Sequence, residues 1–178
     1  MERYNFLKNV KLWKACEDED TFRPVLHDIF FDGDNAVASN GHIMAIAPLI
    51  EICNLQPLDI GKLNGKLLNS MSYKKIVSYD FISEIDDDGI TCTKDFETAK
   101  FLFDKSGSKY PNYKDLIPDK SLELDRISFK PISLMNLCEA LGGKDNAVIL
   151  DFYGASKGIK VTFSDSNKHG LLMPCYIY

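Results

Sequence analysis

The residues best equipped for nucleophilic, acid–base or metal chemistry in this 178-residue chain are three histidines, His27, His42 and His169, and five cysteines, Cys16, Cys53, Cys92, Cys138 and Cys175. Their spacing gives them little to work with. No histidine pair forms an H-E-x-x-H or H-x-H metal pattern. The cysteines are odd in number, widely spread and never in a C-x-x-C pair, which argues against a disulfide framework and against structural zinc. They read as reduced thiols packed as small hydrophobes. Neither a G-x-S-x-G elbow nor a Walker loop is present. His42, beside Asn40-Gly41, has the chemistry to activate a cysteine nucleophile, but nothing nominates a partner, and a structural role in a turn is the simpler reading. Asp32-Gly33-Asp34-Asn35 and Asp86-Asp87-Asp88-Gly89 look superficially like calcium loops. Neither is followed at the right distance by a bidentate glutamate, so both read as turns. No catalytic residue, metal or cofactor is expected.

Binding chemistry is better represented. In a helix over residues 7–17, at about 100° per residue, Val10, Leu12, Trp13 and Cys16 share one side while Lys8, Lys11 and Lys14 share the other. A lysine face on an amphipathic helix is most often a solvated face. Here it stands out because the chain carries a net charge of -5, so any contact with DNA needs its cations concentrated on one surface. Lysines one turn apart suit a phosphate backbone followed without reading bases. The acidic run Glu17-Asp18-Glu19-Asp20 opposes the helix dipole and should end the helix.

The elements that would position these groups are short and antiparallel in character. With 45% hydrophobic residues the chain can bury one compact body or two small domains. No apolar run approaches the roughly 20 residues of a membrane span. Met1-Glu2-Arg3-Tyr4-Asn5 is not a secretory signal pattern, so a cytoplasmic location is expected. Three units of similar size, 1–58, 59–120 and 121–178, each read as a strand, a helix and two or three strands. In the first, residues 24–31 form a strand, and Asn40-Gly41 joins two more as a type I′ hairpin. In the second, residues 66–75 form a helix, 76–85 one or two strands, and 90–93 and 99–103 further strands before a loop at 106–118. In the third, residues 122–129 form a strand and Pro131 starts a helix. Its apolar stripe is Ile132, Met135, Cys138 and Leu141, and Gly142-Gly143 stops it. Strands over 147–152, 158–163 and 171–178 complete an α+β pattern dominated by antiparallel hairpins.

Four stretches together resemble the beta subunit of bacterial DNA polymerase III, the ring-shaped sliding clamp. Arg23-Pro24-Val25-Leu26-His27-Asp28-Ile29-Phe30-Phe31 looks like the strand entering the clamp's middle domain. Ala36-Val37-Ala38-Ser39-Asn40-Gly41-His42-Ile43-Met44-Ala45 is similar to its V-A-T-D-G-H-R-L-A hairpin. Tyr110-Pro111-Asn112-Tyr113-Lys114-Asp115-Leu116-Ile117-Pro118 is similar to its F-P-D-Y-x-x-[VL]-[LI]-P loop, and Leu171-Leu172-Met173-Pro174-Cys175-Tyr176-Ile177 to its C-terminal V-V-M-P-M-R-L. The order is the family's. The resemblance implies a DNA-clamp-like fold of repeated βαβββ units, with antiparallel sheets and helices on one face. Residues 1–120 correspond to the middle domain, and residues 121–178 to the C-terminal half of the last. The first domain and half of the third have no counterpart here.

In that family, partner proteins insert a short peptide into a cleft between the middle and last domains. Carried over residue by residue, the cleft's apolar floor is Leu26, Met44, Leu116, Leu171 and Met173. Pro111 and Pro174 shape the walls, and Ser39, Gly41 and His42 supply the polar edge. Two positions depart from the pattern: the arginine after the hairpin histidine is Ile43, and a basic residue of the proline loop is Asp115. The implied function is a non-enzymatic processivity or tethering factor. Its implied partners are double-stranded DNA, bound without sequence preference, and replication proteins or polymerases carrying a short clamp-binding peptide. A homo-oligomer is left open; twelve βαβββ halves would close a ring of four such chains. The alternative is a stand-alone peptide-binding adaptor or decoy that does not encircle DNA.

Overall fold

The computed structural model describes residues 3–16, 23–117, 127–143, 146–154, 156–164 and 166–175. Ten strands within them are β1 (Asp28–Asp32), β2 (Asn35–Ser39), β3 (Ile43–Pro48), β4 (Leu67–Asn69), β5 (Phe81–Ile85), β6 (Gly89–Lys94), β7 (Glu97–Leu102), β8 (Val148–Asp151), β9 (Ile159–Phe163) and β10 (His169–Leu172). Four helices accompany them: α1 (Leu49–Ile52), α2 (Pro57–Leu63), α3 (Ser70–Ile76) and α4 (Pro131–Ala140). The strands form a seven-stranded antiparallel sheet in the order β4-β1-β2-β3-β10-β9-β8 and a separate three-stranded sheet β5-β6-β7. The larger sheet therefore draws strands from both sides of residue 120.

Period-two alternation distributes the apolar residues between its two faces. Ile29, Phe31, Ala36, Ala38, Ile43, Ala45, Ala47 and Leu172 point into the main core, where α4, α3 and the N-terminal segment cover the sheet. Tyr73 of α3 lies 4.9 Å from Phe6, whose ring stacks on Phe31. The intervening residues Val37, Met44, Ile46 and Leu171 point the other way, into a smaller cluster with Tyr113. Burial on both faces explains why Ile43-Met44-Ala45-Ile46-Ala47 is a continuous apolar run.

Several local expectations gave way to tertiary contacts. The expected helix over 7–17 is only a 3₁₀ turn, Leu12–Ala15. Tyr4 and Phe6 bridge Ile82 and Cys53, and the N–H groups of Leu7 and Lys11 donate to the carbonyls of Ile52 and Glu139. The Lys11 N–H, which a helix starting at Leu7 would give to the Leu7 carbonyl, is thus spent on α4. The expected strand over 24–31 begins instead as a 3₁₀ turn, Pro24–His27, because proline brings no N–H for a ladder. Residues 66–75 divide into β4 and α3, with Asn69 Oδ1 accepting from the N–H groups of Met71 and Ser72 as an N-cap. Residue 76 ends that helix, so the expected strand over 76–85 shortens to β5. In α4 the buried residues are Leu137 and Ala140, followed by Leu141, whereas Ile132 and Met135 of the expected stripe are 57% and 59% exposed. Cys138 packs against the core and Leu141 is buried as expected, while Leu134 and Leu137 take the places expected of Ile132 and Met135. Helices α1 and α2 were not anticipated. The acidic run at 17–20 and most of the expected strand at 122–129 lie outside the described residues; Ser128 bridges Cys175.

Two expected turns hold. Asp86 Oδ1 accepts from the N–H groups of Asp88 and Gly89 between β5 and β6. Lys100, Lys66 and Lys105 engage Asp86, Asp87 and Asp88 respectively, which occupies these carboxylates with lysines. Gly33 takes φ +59 between β1 and β2. Cys16, Cys53 and Cys92 are buried, and burial pushes the Cys92 thiol up to about 12. No helix among the described residues is long and apolar enough to cross a membrane.

Gly170 sits where β10 passes beneath α4. A Cβ there would fall 2.5 Å from the Met44 carbonyl oxygen and 2.7 Å from Leu137 Cδ1. Gly170→Ala is expected to lower stability by about 1–3 kcal/mol, the range for overpacking a filled core, read as a lower denaturant midpoint with the slope unchanged.

Candidate functional site

The β3–β10 pairing sets Met44 opposite Leu171 and Ile43 opposite Leu172. Both Met44 and Leu171 face away from the helices, so residues distant in the chain meet as one apolar floor. The pairing runs on past β10, where the Met173 N–H donates to the His42 carbonyl at 2.9 Å. That bond draws Met173 to the hairpin turn. The turn itself differs from the type I′ expected. Asn40 pairs with Ile43, and Gly41-His42 are the central residues. Gly41 has φ +79, and Asn40 is not among the positive-φ residues, the pattern of a turn with glycine first of its central pair. Asn40 Oδ1 accepts from the N–H groups of His42 and Ile43, and Ser39 Oγ donates to the Ile43 carbonyl while accepting from the Gly41 N–H. These bonds hold the turn rigid.

The proline loop supplies the third wall. Tyr110 stacks on Phe30 with ring centroids 5.1 Å apart. Tyr113 is buried in the outer cluster and donates its hydroxyl to Asp32 Oδ2 at 2.8 Å. Lys114 Nζ lies 2.7 Å from the same oxygen. The Lys114 ammonium, then the Tyr113 hydroxyl, hold the Asp32 carboxyl below its ordinary range. The 3₁₀ turn Lys114–Leu116 follows directly, so the Asp32 clasp sets where Leu116 stands.

Together these parts enclose an open cleft of about 440 Å³, within the range of small-ligand sites. Ser39, Gly41, His42, Met44, Leu116, Leu171 and Met173 line it, all seven carried over from the sequence resemblance. Leu116 and Met173 are 63% and 42% exposed, apolar side chains left without cover. Three carried-over residues lie outside the lining. Leu26 is buried at the entry to β1, Pro111 is exposed in its loop, and Pro174 is half-buried beyond Met173. Ile43, Asp115, Lys157 and Gly158 line the cleft in addition. Lys157 comes from the expected turn before β9, and Gly158, expected to open that strand, lies one residue ahead of it.

No protein-family model matches the sequence, and no curated protein does. Solved structures do. The DNA polymerase sliding clamp from Bacillus subtilis superposes with a TM-score of 0.68 at 13% identity, covering 99% of this chain and 64% of that one. The fold is that of the bacterial DNA sliding clamp. The DNA polymerase III beta chain from Streptococcus pneumoniae gives a TM-score of 0.66 at 12% identity, covering 99% of this chain and 66% of that one. The sliding clamp from Bartonella birtlesii bound to griselimycin gives 0.66 at 15%, covering 98% and 66%. The chain thus spans less than two thirds of the B. subtilis clamp. The clamp-like α+β architecture, inferred from four short motifs, stands.

The lysines fare differently from the cleft. Without the helix, Lys8, Lys11 and Lys14 do not form a stripe at one-turn spacing. Lys8 is exposed, but Lys11 and Lys14 lie 3.4 and 2.5 Å from Glu139 Oε2 of α4. Lys14, with Lys11, lowers the Glu139 carboxyl from its ordinary range. Lys74 and Lys75, exposed in the last turn of α3, were not singled out from sequence. Cations at a helix C-terminus are ordinary partners of its dipole, so nothing local distinguished them. Among the described residues no group of three or more His, Cys, Asp or Glu is placed to hold a metal.

The clasp predicts a pH dependence. Because the Asp32 carboxyl is held below its ordinary value, its contribution is present above the usual carboxylate range and is lost as pH falls through the depressed value. Asp32→Asn should therefore loosen the proline loop at neutral pH, seen as faster amide exchange over residues 110–117, and the difference from wild type should shrink on acidification.

Proposed function

We propose that this chain is a non-enzymatic, cytoplasmic processivity or tethering factor that docks partner peptides in the cleft beside the β3–β10 seam. The observation carrying this reading is the convergence of Met44, Leu116, Leu171 and Met173, from three separated parts of the chain, on one open apolar cleft. A cleft with a few polar groups at its edge suits a short linear peptide with an apolar anchor. Methionines at 44 and 173 adapt to anchors of different shape. The expected occupants are replication proteins or polymerases carrying a short segment anchored by leucine or phenylalanine. Binding at roughly micromolar strength, about -8 kcal/mol, is expected. Leu116→Ala and Met173→Ala should each cost about 1–2 kcal/mol of it, measured by calorimetric titration. Both side chains are exposed, so melting temperatures should stay near wild type. Unchanged affinity with a lowered melting point would make them structural residues instead.

Tethering also calls for DNA, held without sequence preference. Lys8, Lys74 and Lys75 are exposed on the segments that cover the helical side of the sheet, and they support that part of the reading. A second reading, a peptide-binding adaptor that leaves DNA alone, is favoured by the engagement of Lys11 and Lys14 with Glu139. Duplex binding with a steep negative salt slope, abolished by changing Lys8, Lys74 and Lys75 to Glu, supports the tether. Duplex-independent monomers in light scattering, with no binding at low salt, support the adaptor.

A further inference from the structure

Two charged side chains on the cleft lining have no part in its apolar floor, and they stand on different sides of the seam. Lys157 belongs to the turn just before β9, beyond β10 in the sheet order. Among the described residues it has no ion pair. It is exposed, and the next residue, Gly158, is buried with its α-carbon side open toward Leu171 and Met173 Sδ, 3.6 Å from where a Cβ would lie. The Lys157 stem thus rises at the border of the apolar floor with its ammonium uncommitted. Asp115 belongs to the proline loop that packs over β1. Its carboxylate accepts one hydrogen bond, from Asn112 Nδ2 at 2.6 Å, and has no ion pair among the described residues. One uncompensated cation and one uncompensated anion therefore face the same 440 Å³ space from opposite flanks. An occupant that fills the floor excludes water from between them, which strengthens each field relative to open surface.

Resting on the peptide-docking reading, we propose that Lys157 and Asp115 are specificity residues, and that the cleft selects a peptide with a carboxylate side chain flanking its apolar anchor on the Lys157 side. Asp115 repels the same charge on the other flank and so sets the direction in which the peptide lies. A charge pair of this kind discriminates among peptides and orients them more than it raises raw affinity.

The test uses the full chain and three short synthetic peptides with one phenylalanine anchor, differing only in a flanking Asp, Asn or Lys, and a fourth with the Asp moved to the other flank. At low salt the Asp peptide should bind about two- to fivefold tighter than the Asn peptide, the range of one partly screened ion pair, and the Lys peptide weaker than both. The spread should narrow near 0.5 M salt, where the screening length is only about 4 Å. Lys157→Glu should reverse the order and Lys157→Met should level it. The fourth peptide should bind wild type less well than the first, and Asp115→Asn should narrow that gap to the part that Lys157 supplies. Equal binding of all peptides by wild type, or an order unmoved by Lys157→Glu, overturns the charge selection while leaving peptide docking intact. Failure of every peptide to bind at about 1 mM, weaker than roughly -4 kcal/mol, overturns docking itself and this inference with it.

Discussion

The antiparallel pairing of β3 with β10 is the contact on which the rest of the molecule depends. It joins strands more than a hundred residues apart into one seven-stranded sheet. The pairing fixes register as well as proximity, and a slip of one residue would exchange the faces of β10. Leu171 would then point at α4 and Leu172 outward, and the cleft would lose half its floor. Gly170 guards the register from beneath, because Leu137 and the Met44 carbonyl occupy the space any side chain would need. A second tie lies beyond the sheet. Glu51 of α1 accepts from the Ser166 hydroxyl at 2.8 Å and from the Asn167 N–H at 3.0 Å, binding the β9–β10 turn to the helix that follows β3.

The sheet's two faces have been put to different uses. One carries the bulk of the core under helices, with Tyr73, Phe6 and Phe31 at its centre. The other is covered only in part, by a loop that contributes two tyrosines and leaves Leu116 and Met173 exposed. Covering that face fully would leave no cleft; leaving it bare would expose Met44, Ile46 and Leu171 together, a patch prone to association. The partial cover is kept in place by polar contacts, with Asp32 receiving both the Tyr113 hydroxyl and the Lys114 ammonium. The Tyr110–Phe30 stack and the burial of Tyr113 add apolar contacts to that clasp.

Charge is arranged locally against a net charge of -5. Acidic turns are matched with lysines, as in the run at 86–88 and its three partners. Glu139 takes two of the cations that a sequence reading assigns to phosphate contacts. The consequence is that the helical side presents fewer uncommitted cations than its lysine count suggests, while the cleft keeps one of each sign.

The sequence by itself determined a good deal here. Hairpin positions, the start of α4 at Pro131 and the α+β class followed from turn chemistry, proline placement and apolar periodicity, while seven of the eleven cleft residues came from the resemblance of four short motifs to the clamp family. The turn and proline signals act within a few residues, through φ preferences or hydrogen bonds to neighbouring backbone, and need no partner from elsewhere. Tertiary structure decided the rest, where the same residues had two adequate local states. Val10, Leu12 and Cys16 would serve a helix, but the backbone N–H groups of Leu7 and Lys11 found carbonyls on Ile52 and Glu139 and left only one 3₁₀ turn. Ile132 and Met135 suit a helix face as well as Leu134 and Leu137, and packing against the N-terminal segment, β3 and β10 chose between them. Lys157, read as a turn residue, and Gly158, read as the start of a strand, carry no local signal of a cleft, because such residues line one only when strands distant in sequence pair beside them.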